Sequence, residues 1–174
     1  MATLSGKKLD LFKQKLISSG DYYVRRFLGY ENPFWSDEMR LKYSRDPAIK
    51  AMFQKDFESI WSDEKALNDC IDVVIKVKPQ KDIDRWCNCV GLEFFELKEF
   101  DNVRFQYYEI SNTVSEYSST VRYRTYSLDE AYELIKGCED WYGHPGSGTI
   151  NRITFYDDAN GNICLVTECV ERRR

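Results

Sequence analysis

The chain has 174 residues, of which 43% are hydrophobic and 15% aromatic. That composition argues against disorder, and a chain of this length buries roughly 70% of its unfolded surface without needing staples. No apolar run reaches the roughly 18 residues of a membrane span, and Lys7, Lys8, Asp10, Lys13 and Lys15 interrupt the stretch a signal peptide would need. A cytoplasmic protein is expected. Its six cysteines (Cys70, Cys87, Cys89, Cys138, Cys164 and Cys169) are then reduced core thiols.

The net charge of −4 is unevenly spread. Met1–Tyr30 has six basic residues against two acidic, whereas Asp101–Glu171 has five against twelve. The acidic half disfavours a broad nucleic-acid surface and favours a basic partner.

In chain order, Leu9, Phe12 and Leu16 fall on one helical face, so a first helix is predicted over Leu4–Ser18 and a short second one over Asp21–Leu28. Ser36–Tyr43 and Pro47–Ile60 follow, the latter with proline at its start. Ser62–Cys70 continues the helical part. Phe34-Trp35-Ser36-Asp37-Glu38, Ile60-Trp61-Ser62-Asp63-Glu64 and the looser Tyr126-Ser127-Leu128-Asp129-Glu130 read as three capped helix starts, with the serine accepting from first-turn amides.

The period then changes. Ile71, Val73, Ile75 and Val77 alternate with other residues up to Pro79, which reads as a strand. Further strands are expected at Gly91–Leu97, Val103–Ile110 and Ser119–Tyr126. Leu128–Tyr142 reads as the best helix, with Leu128, Ala131, Ile135, Cys138 and Tyr142 inward. Thr149–Tyr156 and Asn162–Val170 flank an Asn160-Gly161 turn and form a hairpin. The expectation is one α+β domain over 1–174. Its helical part covers about 1–70, and its antiparallel sheet, crossed by one amphipathic helix, covers about 71–174.

Several constellations bear on function. His144, the one histidine, lies near Ser147 and Asp157/Asp158, a hydrolase-like set only if a nucleophile reaches the ring. The alternative is a helix stop with Gly143 as the C′ residue. The Gly143–Gly148 loop leads from a helix into a strand, the wrong order for a phosphate cradle. Cys87-x-Cys89 with Cys70 lacks the spacing of a zinc site, so no metal or cofactor is expected. Arg104, Gln106 and Tyr108 share one strand face, and Arg122, Arg124 and Tyr126 share another. In register they would form a basic aromatic surface able to stack bases. Asp129, Glu130, Glu133, Glu139 and Asp140 form the largest single-sign cluster, a solvated helix face or a docking surface for a basic protein.

These features point first to a non-enzymatic protein-binding module or inhibitor. Its acidic, aromatic-rich composition is similar to that of small phage and mobile-element inhibitors, anti-CRISPR proteins among them. Such an inhibitor would meet a basic partner that otherwise holds a phosphate backbone. The alternatives are a small enzyme using His144 with Ser147 or a cysteine, and a nucleic-acid binder using the Arg/Tyr face.

Overall fold

A computed structural model describes residues 4–31, 35–115 and 118–174. Phe34, in the first capping sequence, and Glu116, near the Arg/Tyr strands, lie outside these residues. The fold is α+β, with helices first and a five-stranded antiparallel sheet after them. Two compact units divide the chain between Val90 and Gly91.

The first unit is helical: α1 (Gly6–Ser18), α2 (Asp21–Leu28), α3 (Asp37–Arg45), α4 (Pro47–Met52), α5 (Phe57–Trp61), α6 (Glu64–Val77) and α7 (Gln80–Cys89). Four of the helices start on a side-chain cap. Ser36, Asp46, Asp56 and Asp63 accept from backbone amides of α3, α4, α5 and α6, each cap being worth about 1 kcal/mol. Inward residues recur at helical spacing. They include Phe12 and Leu16 of α1, Val24 and Phe27 of α2, and Leu67, Cys70, Ile71 and Val74 of α6. Edge-to-face rings join Phe12, Phe27 and Trp86 in series.

The segment predicted as a strand at Ile71–Val77 is the second half of α6. Its β-branched residues fit either period, but Leu67, Cys70, Ile71 and Val74 continue a helical stripe that begins at the Asp63 cap. Pro79 therefore ends a helix rather than a strand. The helical part runs to Cys89 instead of about residue 70. Cys87 and Cys89 sit on α7, where two residues apart is not one face: Cys87 is buried and Cys89 exposed. The helix predicted over Pro47–Ile60 is broken, because Asp56 caps a new helix, α5. The second capping serine is likewise displaced, since Ser62 follows α5 and Asp63 caps α6.

The second unit holds β1 (Leu92–Phe94), β2 (Val103–Ser115), β3 (Ser118–Thr125), α8 (Leu128–Leu134), β4 (Gly148–Asp157) and β5 (Ile163–Arg173). The sheet order is β1-β5-β4-β2-β3. The predicted β4–β5 hairpin forms. The Asp158 carboxylate accepts from the amides of Asn160 (2.9 Å) and Asn162 (2.8 Å), and Gly161 takes a φ of 77°. The terminal arginines belong to β5 and the residue after it, with Arg172 and Arg174 bonded to Glu93 and Arg173 to Glu171.

α8 covers one end of the inner sheet face, where Ala131, Ile135 and Cys138 pack with Tyr108, Ile110, Ile150 and Val170. The segment before β2 is clamped to the same face. Arg152 bonds Glu168 (2.6 Å) and donates to the Lys98 carbonyl (2.6 Å), while Glu168 accepts from the Lys98 amide (2.9 Å). The predicted Leu128–Tyr142 helix stops early. A single 3-10 turn, Ile135–Gly137, follows α8, and Cys138 is extended. Tyr142, expected inward, is exposed, because the chain there has entered a tight turn.

Lys78, just after α6, is buried, with its ammonium 5.0 Å from the Phe27 ring and 5.9 Å from the Tyr43 ring. No hydrogen bond reaches its Nζ among the described residues. Burial lowers its pKa from 10.5 to about 8, against the attraction of Asp82. A base whose folded pKa is depressed carries its full destabilising cost below about pH 8 and loses that cost as pH rises towards 10.5. The stability of Lys78→Met relative to wild type should therefore fall as pH rises through that window. The total change is about 3 kcal/mol, whatever the packing cost of the substitution. Parallel denaturant titrations at several pH values check this, and a pH-independent difference would refute it.

Candidate functional site

Residues directly opposed across antiparallel strands share a face, so the register assigns the two sides of the sheet. Tyr108 is opposite both Thr125 and Arg152, and Ile110 is opposite Tyr123 and Ile150. All lie on the inner face that α8 covers at one end. The other face carries Phe105 opposite Phe155 and Tyr107 opposite Ile153, and β5 continues these rows with Leu165 and Thr167.

The outer face carries a row of aromatic and aliphatic side chains, several of them exposed. The Phe105 and Phe155 rings stack 4.4 Å apart, Tyr107 stacks on Phe105 at 6.5 Å, and Tyr126 meets Tyr107 edge-on at 6.4 Å. Phe105 is 48% exposed and Leu165 and Ile163 are each 60% exposed. In an antiparallel sheet with one solvated face, that face is ordinarily polar. Large exposed apolar groups side by side mark interaction surfaces.

The Arg/Tyr set expected on one surface is divided. Tyr108 is in the core, 8% exposed, and Arg124 lies opposite Glu109, bonding it at 3.1 Å. Arg104, at a bulge in β2, bonds Asp157 at 2.9 Å. Arg122, at the β2–β3 bulge, lies over the Tyr123 ring. Tyr126 joins the outer aromatic face. The expected register misses the bulge in β2 and the fact that β3 ends opposite Tyr108, which leaves Phe105 and Tyr107 without a β3 neighbour.

The acidic set is also divided. Asp129, Glu130 and Glu133 are exposed on α8, whereas Glu139 and Asp140 lie beyond it. Glu130 accepts from the Thr125 hydroxyl, and its amide donates to the Ser127 hydroxyl at 3.2 Å, interlocking cap and first turn. Glu133 bonds Lys136 at 2.7 Å. Asp140 organises the following loop: its carboxylate accepts from the amides of Tyr142 and His144, both at 2.9 Å, and meets His144 Nδ1 at 2.8 Å. Gly143 has its expected positive φ, 78°, but in this Asp140-centred turn rather than at a helix C-terminus.

The Asp140–His144 pair orients an exposed imidazole. Chemistry would need a nucleophile at its other nitrogen, and Ser147 is 3% exposed while the His144 side chain is 70% exposed. The six cysteines are free thiols. Cys70, Cys87 and Cys138 are buried, Cys164 and Cys169 partly so, and burial raises the Cys87 thiol pKa to about 12. Among the described residues no three His, Cys, Asp or Glu side chains are grouped to hold a metal ion, and no helix is long and apolar enough to cross a membrane. Compared with protein-family models, with curated proteins and with solved structures, the chain matches none.

The outer aromatic face was hidden in the sequence because Phe105, Tyr107, Phe155 and Leu165 look like ordinary strand core. A cue was present in the alternation of Phe105, Tyr107 and Glu109 with Gln106, Tyr108 and Ile110, which gives two apolar phases where α8 can cover only one.

Bonds from the His144 amide, then from its ring and the Tyr142 amide, hold the Asp140 carboxyl below its usual 3.8. A depressed carboxylate contributes stability that is lost as pH falls through its folded pKa. The amide resonances of Tyr142 and His144 should titrate together with a midpoint below 3.8. His144→Ala should raise that midpoint while leaving the melting temperature nearly unchanged. NMR pH titration checks both, and independent midpoints for the two amides would contradict the shared anchor.

Proposed function

We propose that the chain is a non-enzymatic protein-binding module whose sheet unit docks a partner bearing an apolar patch and a net basic charge. The observation that carries the reading is the stack of exposed Phe105 on half-buried Phe155 beside exposed Leu165 and Ile163, on strands paired to neighbours on both sides at β4. Aromatic groups on a rigid scaffold lose little entropy on docking and supply most of the affinity of an interface. Charge supports the basic partner: residues 91–174 contain nine Lys and Arg against fifteen Asp and Glu. Asp129 and Glu133, on the helix that covers the opposite side of the sheet, would act through the field of the unit on encounter rate rather than by contact in the interface. At finer grain this is an inhibitor, of the anti-CRISPR kind, occupying a basic surface that otherwise holds a phosphate backbone.

Binding of single-stranded nucleic acid by the same aromatic face is the second reading, since exposed rings can stack bases. The negative unit disfavours it, and so does the pairing of Arg104 and Arg124 with Asp157 and Glu109.

Phe105→Ser with Leu165→Ser should keep the melting temperature within a few degrees, because both side chains are exposed, and should abolish capture of the protein that wild type retains. Asp129→Lys with Glu133→Lys should slow association, most strongly at low salt. Surface-based kinetics against that protein separate the two effects. Unimpaired binding by the serine variant overturns the reading, and a salt-dependent oligonucleotide shift lost in that variant transfers it to nucleic acid.

A further inference from the structure

The helical unit carries a feature independent of the sheet surface. The C-terminal turn of α3, the α3–α4 junction and the end of α6 enclose an open cleft of about 470 Å³ lined by Leu41, Lys42, Arg45, Asp46, Pro47, Lys76 and Val77. Three of these side chains are cationic and one is acidic. The acid, Asp46, caps α4 by accepting from the Ile49 amide at 3.0 Å, so the lining carries three positive charges against one negative. Lys42 shares Glu38 with Lys81, at 3.5 and 3.3 Å. Arg45 and Lys76 form no ion pair among the described residues.

Like charges brought to one space from two helices repel unless an anion lies between them. A cation near a helix C-terminus complements the local carbonyls, and the end of each helix would be served by a cation reaching towards solvent. Here Lys42 and Arg45 of α3 and Lys76 of α6 line one cavity instead. The remaining wall is apolar, from Leu41, Pro47 and Val77, and Leu41 is 52% exposed. An arginine fork beside lysine point charges is the donor set for a phosphate group, and the apolar wall offers contact to whatever the phosphate is esterified to.

We propose that this cleft binds a small phosphate ester, with Arg45, Lys76 and Lys42 on the phosphate and Leu41, Pro47 and Val77 against its organic part. The class is that of a nucleoside mono- or diphosphate, with the phosphate rather than the base as the recognised group.

The test is titration calorimetry of the full chain with adenosine, adenosine monophosphate, inorganic pyrophosphate and a short oligothymidylate. Adenosine monophosphate should bind saturably and at least about ten-fold more tightly than adenosine, the scale of one charge-assisted contact. Arg45→Gln and Lys76→Gln should each weaken it about as much, while Lys50→Gln, an exposed lysine outside the cleft, should leave it unchanged. Circular dichroism and melting temperature confirm that each variant is folded, and a variant that fails is replaced by Arg45→Lys or Lys76→Met. Equal binding of adenosine and its monophosphate overturns the proposal, as does unchanged affinity in both Gln variants or no saturable heat with any phosphate probe. Oligothymidylate binding more tightly than the nucleotide and lost in the same variants also overturns it, in favour of a nucleic-acid backbone.

Discussion

A sheet has two faces, and the sheet unit carries one helix to cover them. β4 and β2 are flanked on both edges, and from Phe105 to Ile110 their paired side chains alternate between the sides. α8 is seven residues long, about two turns of helix, enough to seal Ile110, Ile150 and Val170. The rest of the inner face is closed by the loop that Arg152 and Glu168 clamp at Lys98. With those two elements committed, the opposite phase shields Ile153 but leaves Phe105, Ile163 and Leu165 exposed. The stack of Phe105 and Phe155 follows from this shortage of cover, and so does the reading of that face as a docking surface.

The clamp also shows how the sheet tolerates charge in its interior. Arg152, Glu168, Glu171 and Arg173 lie on or near the inner face, and each is bonded to an opposite charge or a carbonyl. Burying such groups is costly when they are unpaired, so the clamp specifies where the Lys98 segment must lie. The helical unit also buries charge. Lys78 Nζ and the Asp82 Oδ1 atom are buried without hydrogen bonds among the described residues, although Asp82 Oδ2 accepts from Ser36 at 2.7 Å.

The class of fold was legible because its signals are local. Ser36 and Ser127 cap helices as their positions imply, and Asn160-Gly161 turns the terminal hairpin. The misreadings arose where two local rules compete. Ile71–Val77 satisfies both alternation and helical spacing, and the Asp63 cap upstream decided between them. Leu128–Tyr142 has a helical stripe throughout, but three bonds to the Asp140 carboxylate outweigh helix continuation past Gly137. The candidate surface was less legible still. From Phe105 to Ile110 the strand alternates without a break, but which of its two apolar phases meets α8 is a tertiary fact. The bulges at Val103/Phe105 and, between β2 and β3, at Ile110/Ser111 displace Arg104 and Arg122 from the faces that alternation assigns them.

The closure between Gly91 and Arg174 has a consequence for how the sheet unit is connected. The Arg174 amide donates to the Gly91 carbonyl at 2.9 Å, and β1 pairs with the end of β5 through Leu92 and Arg173. Gly91 approaches so closely that a β-carbon there would lie 2.9 Å from the Arg174 carbonyl oxygen. The first and last residues of the stretch 91–174 are thus neighbours at one edge of an open sheet, whose other edge is β3. In a chain of residues 91–174, a short linker from residue 174 to residue 91 and an opening at the Asp158–Gly161 turn would leave every strand pair in its register. Where the chain of that sheet begins is then a matter of connectivity, not of packing.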